Sequence, residues 1–565
     1  MPVPEPETRL RRLDYVLLGL FCLCLFGFTI VPGPVLSGHE AVLPQNTREM
    51  LADHDWLIPK MGGEPWLERP PLPDWILAAT DWCFGERTND RVVRIAPTVM
   101  ATLVILLLAW MAAGWFGRTI GLLSGLIMAT MYEFYFYATD PEADIFLCAI
   151  VTAAIAFFVR IEFPPGGGTE EDGVSFFGRR PWPVLAFFVF FGLTNMAKGL
   201  IFGTLMVAVP VTGFLLFNAD LKAIRRYVWF WGWLIFAVVA LAWPATAYLQ
   251  HPEIRELWEQ HYLGRLNRGY IGEPAWYYLT ALPYITLPWT IPAFFGLWMT
   301  KGPAWRSRYA PERFLWCWAI LTPAFFSIPD GKHHHYLLQC MAPWAALAAL
   351  GAVRMWRWIG TWPTWLRNPA WSLLLLGLPG DAALFALRAK LLGPSWIVPA
   401  LLVAWPLFVF GCCWAIGRRN GRVALAGVFT WLFAFYCVVS LYQTLYLDDY
   451  QDDRVFLQEV QAVVGSDRPV FITFDMYHPL ETAWLLFYSG DHVVLLDDAA
   501  ALRTKQRSPT EEAFLLARKR DERDLARLGS CEVILQSKRT RGERAPGDRR
   551  TLFCIRRPEN DGSQR

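Results

Sequence analysis

The stretch Arg9–Glu40, RLRRLDYVLLGLFCLCLFGFTIVPGPVLSGHE, decides the fold class. Arg9, Arg11 and Arg12 precede an uncharged run from Tyr15 to Gly38. That run exceeds the ~7–15 residue apolar region of a secretory leader. It is long enough for the roughly 20 residues that a membrane-crossing helix needs, and reads as an uncleaved first span.

Further apolar runs of comparable length fall near 92–116, 119–138, 144–162, 182–197, 199–217, 227–249, 275–300, 314–329, 335–352, 370–388, 395–416 and 424–446. The expectation is a mainly α, polytopic transmembrane bundle of about thirteen spans. Composition agrees, since 55% of the 565 residues are apolar, 29 are Trp and only 18% are charged. An ordinary soluble enzyme is excluded.

Charge divides the chain. Residues 451–565 carry 19 basic and 19 acidic side chains, a density far above that of the first 450. A transmembrane domain over 1–450 is therefore expected, followed by a soluble domain over 451–565. In the tail, strand-like runs (Pro469 to Phe474, His492 to Leu496, Glu532 to Gln536, Thr551 to Arg556) alternate with helical ones (Arg454 to Val464, Thr510 to Leu528), which suggests a small α/β domain. Its expected task is acceptor binding or a lid. Asp475, His478 and Glu481 read as solvated loop positions.

With a net charge of +2 and no basic block, nucleic acid is excluded as a partner. Membrane lipids are the medium instead. With the amino terminus inside, cytoplasmic segments collect most of the Lys and Arg, while short outer turns hold only Lys198, Lys332, Arg388 and Lys390. That asymmetry sets the orientation, and an odd number of spans places the tail outside. The cysteines are scattered without a C-x-x-C spacing. Only Cys531 and Cys554 share the tail, where an oxidising compartment would permit a disulfide. Gly166-Gly167-Gly168 with Glu170, Glu171 and Asp172 reads as a cytoplasmic linker, and the lack of a G-x-x-x-x-G-K-[ST] motif argues against an ATP-driven pump.

The chemistry-bearing residues gather on the outer face. The first outer loop, 37–90, exceeds a simple connection and opens on His39-Glu40. Glu40, emerging at the membrane surface, is either a base whose proton affinity is raised by desolvation or a helix-capping carboxylate. Asp140, Glu142 and Asp144 share a short turn, close enough for a divalent metal, or else serving as helix caps. The sequence fixes no other cofactor. His333, His334 and His335 are adjacent, and adjacent residues on a regular element cannot all face one ion. Lys198 in N-M-A-K-G is a cation between two apolar spans, functional or snorkelling. Trp276, Tyr277 and Tyr278 suit an interfacial aromatic belt. His261, Arg265 and Arg268 suit an outer amphipathic helix facing phosphate or the membrane surface.

Four segments together resemble one family. They are HEAVLPQNTREMLADHDWLIPKMGGEPWLERPPLPDWI (39–76), TDPEAD (139–144), EPAWYYLTALPYITLPW (273–289) and FFSIPDGKHHHYLLQCMAPWAAL (325–347). In order and in shared face they resemble the aminoarabinose transferase and protein mannosyltransferase superfamily, membrane glycosyltransferases of the GT-C class, over roughly residues 14–350. The resemblance implies a polyprenyl-phosphate-linked sugar donor and a lipid A-like glycolipid, protein or envelope-glycan acceptor. It also implies transfer with inversion on the outer face of a bacterial inner membrane.

The resemblance places Arg69 where the family commonly has a basic residue for the donor phosphate, with Glu68 orienting it. Lys198 contacts the same phosphate, and Lys332, Tyr336 and His335 hold the headgroup or sugar. Asp140 matches the acidic position of the second loop, and Asp144 falls in the first turn of the next span. One departure matters. The family opens its first loop with Asp-Glu, and here His39 stands in place of the Asp. Either His39 accepts the proton, or Glu40, Asp140 or Asp144 does, or transferase activity is lost. A transporter of lipid-linked glycans and a binding-only family member stand as alternatives. The transporter is disfavoured because the ionisable groups cluster at outer loops rather than at mid-membrane.

Overall fold

The computed structural model describes residues 9–85, 89–164, 176–199, 201–259, 272–363, 365–367, 421–442, 444, 449–465, 467–473, 477–502, 512–538 and 548–556. The expected spans at 370–388 and 395–416 lie outside the described residues, as do His261, Arg265, Arg268 and Asp475. The chain divides into two compact units. The first comprises Met1–Val31, Leu67–Pro73 and Ile95–Leu441; the second comprises Pro32–Trp66, Asp74–Arg94 and Tyr442–Arg565.

The first unit is a helical bundle of a multi-pass membrane protein. Among the described residues six helices are long and apolar enough to cross a bilayer: Arg12–Ile30, Val92–Phe116, Ala143–Glu162, Phe230–Gln250, His334–Gly360 and Val423–Leu441. Arg118–Ala129, Trp182–Lys198 and Phe202–Asn218 are shorter apolar helices. Helices satisfy their own backbone groups, which is the condition for life in hydrocarbon.

Helix Met341–Gly360 lies deep in this unit. It meets Thr290–Arg306 so closely at Gly351 and Gly296 that a Cβ on either would fall 1.9 Å from a backbone oxygen of the other helix. Glycine is required at that crossing. By contrast Leu13, Leu17, Leu20 and Leu23 of Arg12–Ile30 are exposed, as suits a lipid-facing helix. Its first turn is tied down by Asp14, which caps the Arg11 N–H at 2.8 Å and receives Nε and Nη2 of Arg118 at 2.6 and 2.5 Å.

Two expected spans are interrupted. The run 119–138 divides into Arg118–Ala129 and Tyr132–Tyr137, and 275–300 divides into Tyr277–Ile285 and Thr290–Arg306. The breaks face one another: the Tyr132 N–H donates to the Leu287 carbonyl at 2.8 Å, and the Trp289 indole N–H donates to the Thr130 hydroxyl at 2.9 Å. Each break thus satisfies polar groups of the other, which no local pattern reveals.

The second unit joins most of the first outer loop to the tail. Its loop part contains the helix Gly38–Asp53, a small hairpin (Lys60–Met61 with Glu64–Pro65) and the helix Leu72–Phe84, most of which falls within this unit. Its tail part is a five-stranded mixed sheet, in spatial order Val493–Leu496, Val470–Thr473, Ala513–Arg518, Arg550–Arg556, Ser530–Gln536. The first three strands run parallel and the remainder antiparallel, flanked by the helices Asp449–Val464 and Pro479–Ser489.

The tail corrects one expectation. Thr510–Leu528 was expected to be helical, but Ala513–Arg518 is the central strand and only Glu522–Leu525 forms a short helix. A central strand covered on both faces needs a continuous apolar run rather than alternation, and AFLLA supplies it. The disulfide is also excluded. Across Ser530–Gln536 and Arg550–Arg556, Cys531 faces Ile555 and Cys554 faces Glu532. The two cysteines are therefore one register step apart, on opposite faces of the sheet, and both are free thiols.

Candidate functional site

In the first unit the polar cluster forms where two helices end. Asp144 lies in the first turn of Ala143–Glu162, and Lys198 is the last residue of Trp182–Lys198. Gly199 stops the latter helix at φ +101°, a conformation that favours glycine. Lys198 Nζ donates to Asp144 Oδ1, and the two side chains are 9% and 3% exposed. Lys198 is therefore not snorkelling to a surface; it is buried and paired. Its ammonium also sits 5.3 Å from the ring centroid of Phe202 and 5.1 Å from that of Tyr336. Such cation–π contacts help hold a desolvated cation.

Arg69 and His335 complete this cluster. The charge of Arg69 is felt by both Lys198 and Asp144. Its side chain is 39% exposed and meets Glu68 only loosely, at 3.7 Å. That leaves the Arg69 fork able to grip a planar or tetrahedral anion. The Trp258 indole N–H reaches the Leu67 carbonyl at 3.3 Å, fastening the segment that carries Arg69. The His335 ring packs on Tyr336 at 4.8 Å and on Tyr137 at 6.0 Å. Lys198 and Arg69 are thus the two cations of the cluster, with Asp144 buried against the first and Glu68 beside the second.

The remaining expected residues are placed differently. Lys332 is buried and its Nζ donates to the Glu273 carbonyl at 2.8 Å, while the Glu273 N–H donates to the Asp330 carbonyl. Lys332 thus ties two loops together. Of the three histidines, His334 turns away, its Nδ1 meeting Glu133 at 2.5 Å, whereas the His333 and His335 rings stack at 5.2 Å. Asp140 is half-buried in a tight turn, its carbonyl accepting from the Glu142 N–H at 2.7 Å. Among the described residues, no group of three or more His, Cys, Asp or Glu side chains is gathered as a metal site. Of the expected aromatic belt, Trp276 is exposed, whereas Tyr278 is buried.

In the second unit, Ser37 caps the helix Gly38–Asp53. The Glu40 N–H donates to Ser37 Oγ at 3.3 Å, and Glu40 Oε2 accepts from the Ser37 N–H at 2.7 Å. This is a capping box. Glu40 Oε1 meets Arg94 Nη1 at 2.5 Å, in a pair whose side chains are 11% and 4% exposed. Both carboxylate oxygens are therefore engaged. That engagement is the helix-capping arrangement weighed for Glu40, with Arg94 added as an ion-pair partner. His39, one residue earlier, is exposed. Arg94 was not anticipated, although an arginine at the edge of the uncharged run 95–116 was the available signal.

Residues 44–258 match the family model described as dolichyl-phosphate-mannose-protein mannosyltransferase. The chain is 28% identical over 347 residues to an undecaprenyl phosphate-alpha-4-amino-4-deoxy-L-arabinose arabinosyl transferase of Aeromonas hydrophila, covering 60% of this chain and 59% of that one. It is 30% identical over 402 residues to the enzyme of that name in Pectobacterium carotovorum, covering 68% and 66%. The crystal structure of ArnT from Cupriavidus metallidurans bound to undecaprenyl phosphate superposes with a TM-score of 0.73 at 18% identity, over 95% of this chain and 97% of that one. The chain belongs to the GT-C aminoarabinose transferase and protein mannosyltransferase superfamily.

As a member of this superfamily the chain has the expected fold, a helical membrane bundle with a small α/β domain. It spans about three-fifths of the length of the Aeromonas relative. Against the superfamily's Asp-Glu opening, the second position is retained as a structural ion pair, and the first is His39.

Proposed function

We propose that this chain is a glycosyltransferase that takes a sugar from a polyprenyl-phosphate carrier and passes it to an acceptor hydroxyl on the outer face of the membrane. The observation that carries this reading is the buried Lys198–Asp144 pair, with Arg69 within electrostatic reach and Tyr336 over the ammonium. In this reading Lys198 and Arg69 neutralise the charge that develops on the departing phosphate. Asp144 holds the ammonium in place, Tyr336 and His335 border the sugar, and Lys332 supports them by tying the loops. Glu68 and Asp140 flank the donor.

His39 accepts the proton of the acceptor hydroxyl as its oxygen attacks the anomeric carbon. The bond from that carbon to the phosphate oxygen breaks, and its electron pair leaves with the polyprenyl phosphate. One displacement of this kind inverts the anomeric centre. The amino terminus is cytoplasmic and the tail periplasmic, so the reaction occurs on the periplasmic side. The relatives' names favour an undecaprenyl-phosphate donor carrying a pentose such as an aminoarabinose, and a lipid A-like glycolipid is the first acceptor to try, ahead of protein or envelope glycan.

The test is transfer of radiolabelled sugar from synthetic undecaprenyl-phosphate donors by the purified full-length protein in detergent, with membrane extract as acceptor. Labelled product that disappears in Lys198→Ala supports the reading. No transfer with pentosyl or hexosyl donors would overturn it in favour of a binding-only protein.

A further inference from the structure

The tail helix Pro479–Ser489 holds the loop that carries His39 and Glu40. Trp484 and Tyr488 lie one turn apart on it and take both backbone polar groups of Leu36. The Leu36 N–H donates to the Tyr488 hydroxyl at 2.7 Å, and the Trp484 indole N–H donates to the Leu36 carbonyl at 2.8 Å. Trp484 is fully buried. Leu36 immediately precedes Ser37, the cap of the helix whose first turn carries His39 and Glu40.

The same hydroxyl faces a second segment. Tyr488 donates to Asp90 Oδ1 at 2.7 Å, and Arg454 Nη1 holds Asp90 Oδ2 at 2.8 Å while its guanidinium lies 5.5 Å from the Tyr488 ring centroid. Asp90 opens the short turn that delivers Arg94: the Val93 N–H donates to the Asn89 carbonyl, and the Arg94 N–H to the Arg91 carbonyl. One phenol oxygen therefore joins the segment leading to Glu40 with the segment leading to Arg94. Further along the loop helix, Arg48 Nη1 and Nη2 donate to the carbonyls of Phe487 and Leu486. The backbones are also in close contact, with the Leu480 carbonyl 3.0 Å from where a Cβ on Gly38 would stand.

We propose that Tyr488 is a positioning residue for the transfer reaction: by bridging Leu36 and Asp90 it keeps the Glu40–Arg94 pair closed and the first turn of the loop helix, with His39, in its working orientation. This rests on the transferase reading above. Misplacement of a reacting group by about 1 Å can lower a rate on the order of a hundredfold, so a lost bridge that leaves the pair partly formed should lower it about tenfold. The tail helix then braces the loop segment that carries His39.

The experiment uses the full-length protein and the variants Tyr488→Phe, Glu40→Gln and the two combined. Tyr488→Phe keeps the ring against Arg454 and removes only the hydroxyl. Three results are expected: kcat per donor-binding site falls about tenfold with the donor KM within about twofold, amide exchange of residues 34–41 and 89–95 rises, and Tyr488→Phe causes no further loss in the Glu40→Gln background. The last result separates a role exercised through the pair from general destabilisation, which would add. Unchanged kcat, unchanged exchange or additive losses would each overturn the proposal. If the wild type transfers nothing from any donor, the transferase reading falls, and the exchange measurement alone decides whether Tyr488 holds the two segments.

Discussion

Glu40 and Arg94 form a buried ion pair, with Oε1 and Nη1 2.5 Å apart, and the other Glu40 oxygen caps its own helix through the Ser37 N–H. Removing one partner of such a pair leaves an uncompensated charge, a loss of about 3–5 kcal/mol. Glu40→Gln and Arg94→Met are each expected to lower the melting temperature in detergent. The double variant should lose less than the sum of the two, since neither charge is then stranded. A Glu40→Gln protein that melts like the wild type would show that the pair is not structural.

His39 occupies the first position of the superfamily's acidic pair and is exposed. If it accepts the acceptor proton, His39→Ala should lower kcat by at least about a hundredfold with little change in melting temperature. His39→Asp should keep transferring. A base must be unprotonated, so the rate is lost as pH falls through its pKa. The acidic limb of kcat/KM should therefore move to lower pH in His39→Asp, because a carboxylate is a weaker base than an imidazole. An identical acidic limb in both proteins would remove His39 from proton transfer.

The bundle and much of the tail sheet were legible because apolar runs and β-rich segments are local signals. Val470–Thr473 and Arg550–Arg556 fall within a residue of the strand-like apolar runs Pro469 to Phe474 and Thr551 to Arg556. The strand Ala513–Arg518 was not legible, because its helix-like charges flank a short apolar run whose role is set by its neighbours in the sheet. The breaks near Thr130 and Leu287 were hidden for a similar reason, as each is satisfied by the other. At the site, Lys198 and Asp144 could be picked out as charges between apolar spans, but their pairing across 54 positions could not. Arg94, Trp484 and Tyr488 act through tertiary partners and carry no motif.

Asp90 supplies a pH dependence. Its burial raises the carboxyl above the usual range, against the lowering influence of the Tyr488 hydroxyl and of Arg454. A carboxyl with a raised folded pKa takes up a proton on folding. The stability it contributes is complete below the unfolded value of about 3.9 and is lost as pH rises through the folded value. Asn at this position does not titrate. The melting temperature of the wild type relative to Asp90→Asn should therefore rise as the pH is lowered from 7 toward 5. A difference independent of pH would mean that Asp90 is not buried as described.

Lys198 and Asp144 allow structure and function to be separated. As an ion pair alone, the two residues could be replaced together by apolar side chains of similar size with little loss of stability, as happens for many buried pairs. As a phosphate site, the cluster cannot dispense with the ammonium. Lys198→Met should strand Asp144 and lower both stability and donor binding. Lys198→Met/Asp144→Leu should recover the melting temperature while polyprenyl phosphate binding stays weakened by at least about tenfold, the loss of one charge-assisted contact of about 1.5–3 kcal/mol. Binding is read from the quench of tryptophan fluorescence on titration with undecaprenyl phosphate. Recovery of both properties in the double variant would reduce Lys198 to a structural partner and leave Arg69 as the remaining cation of the cluster for the donor phosphate.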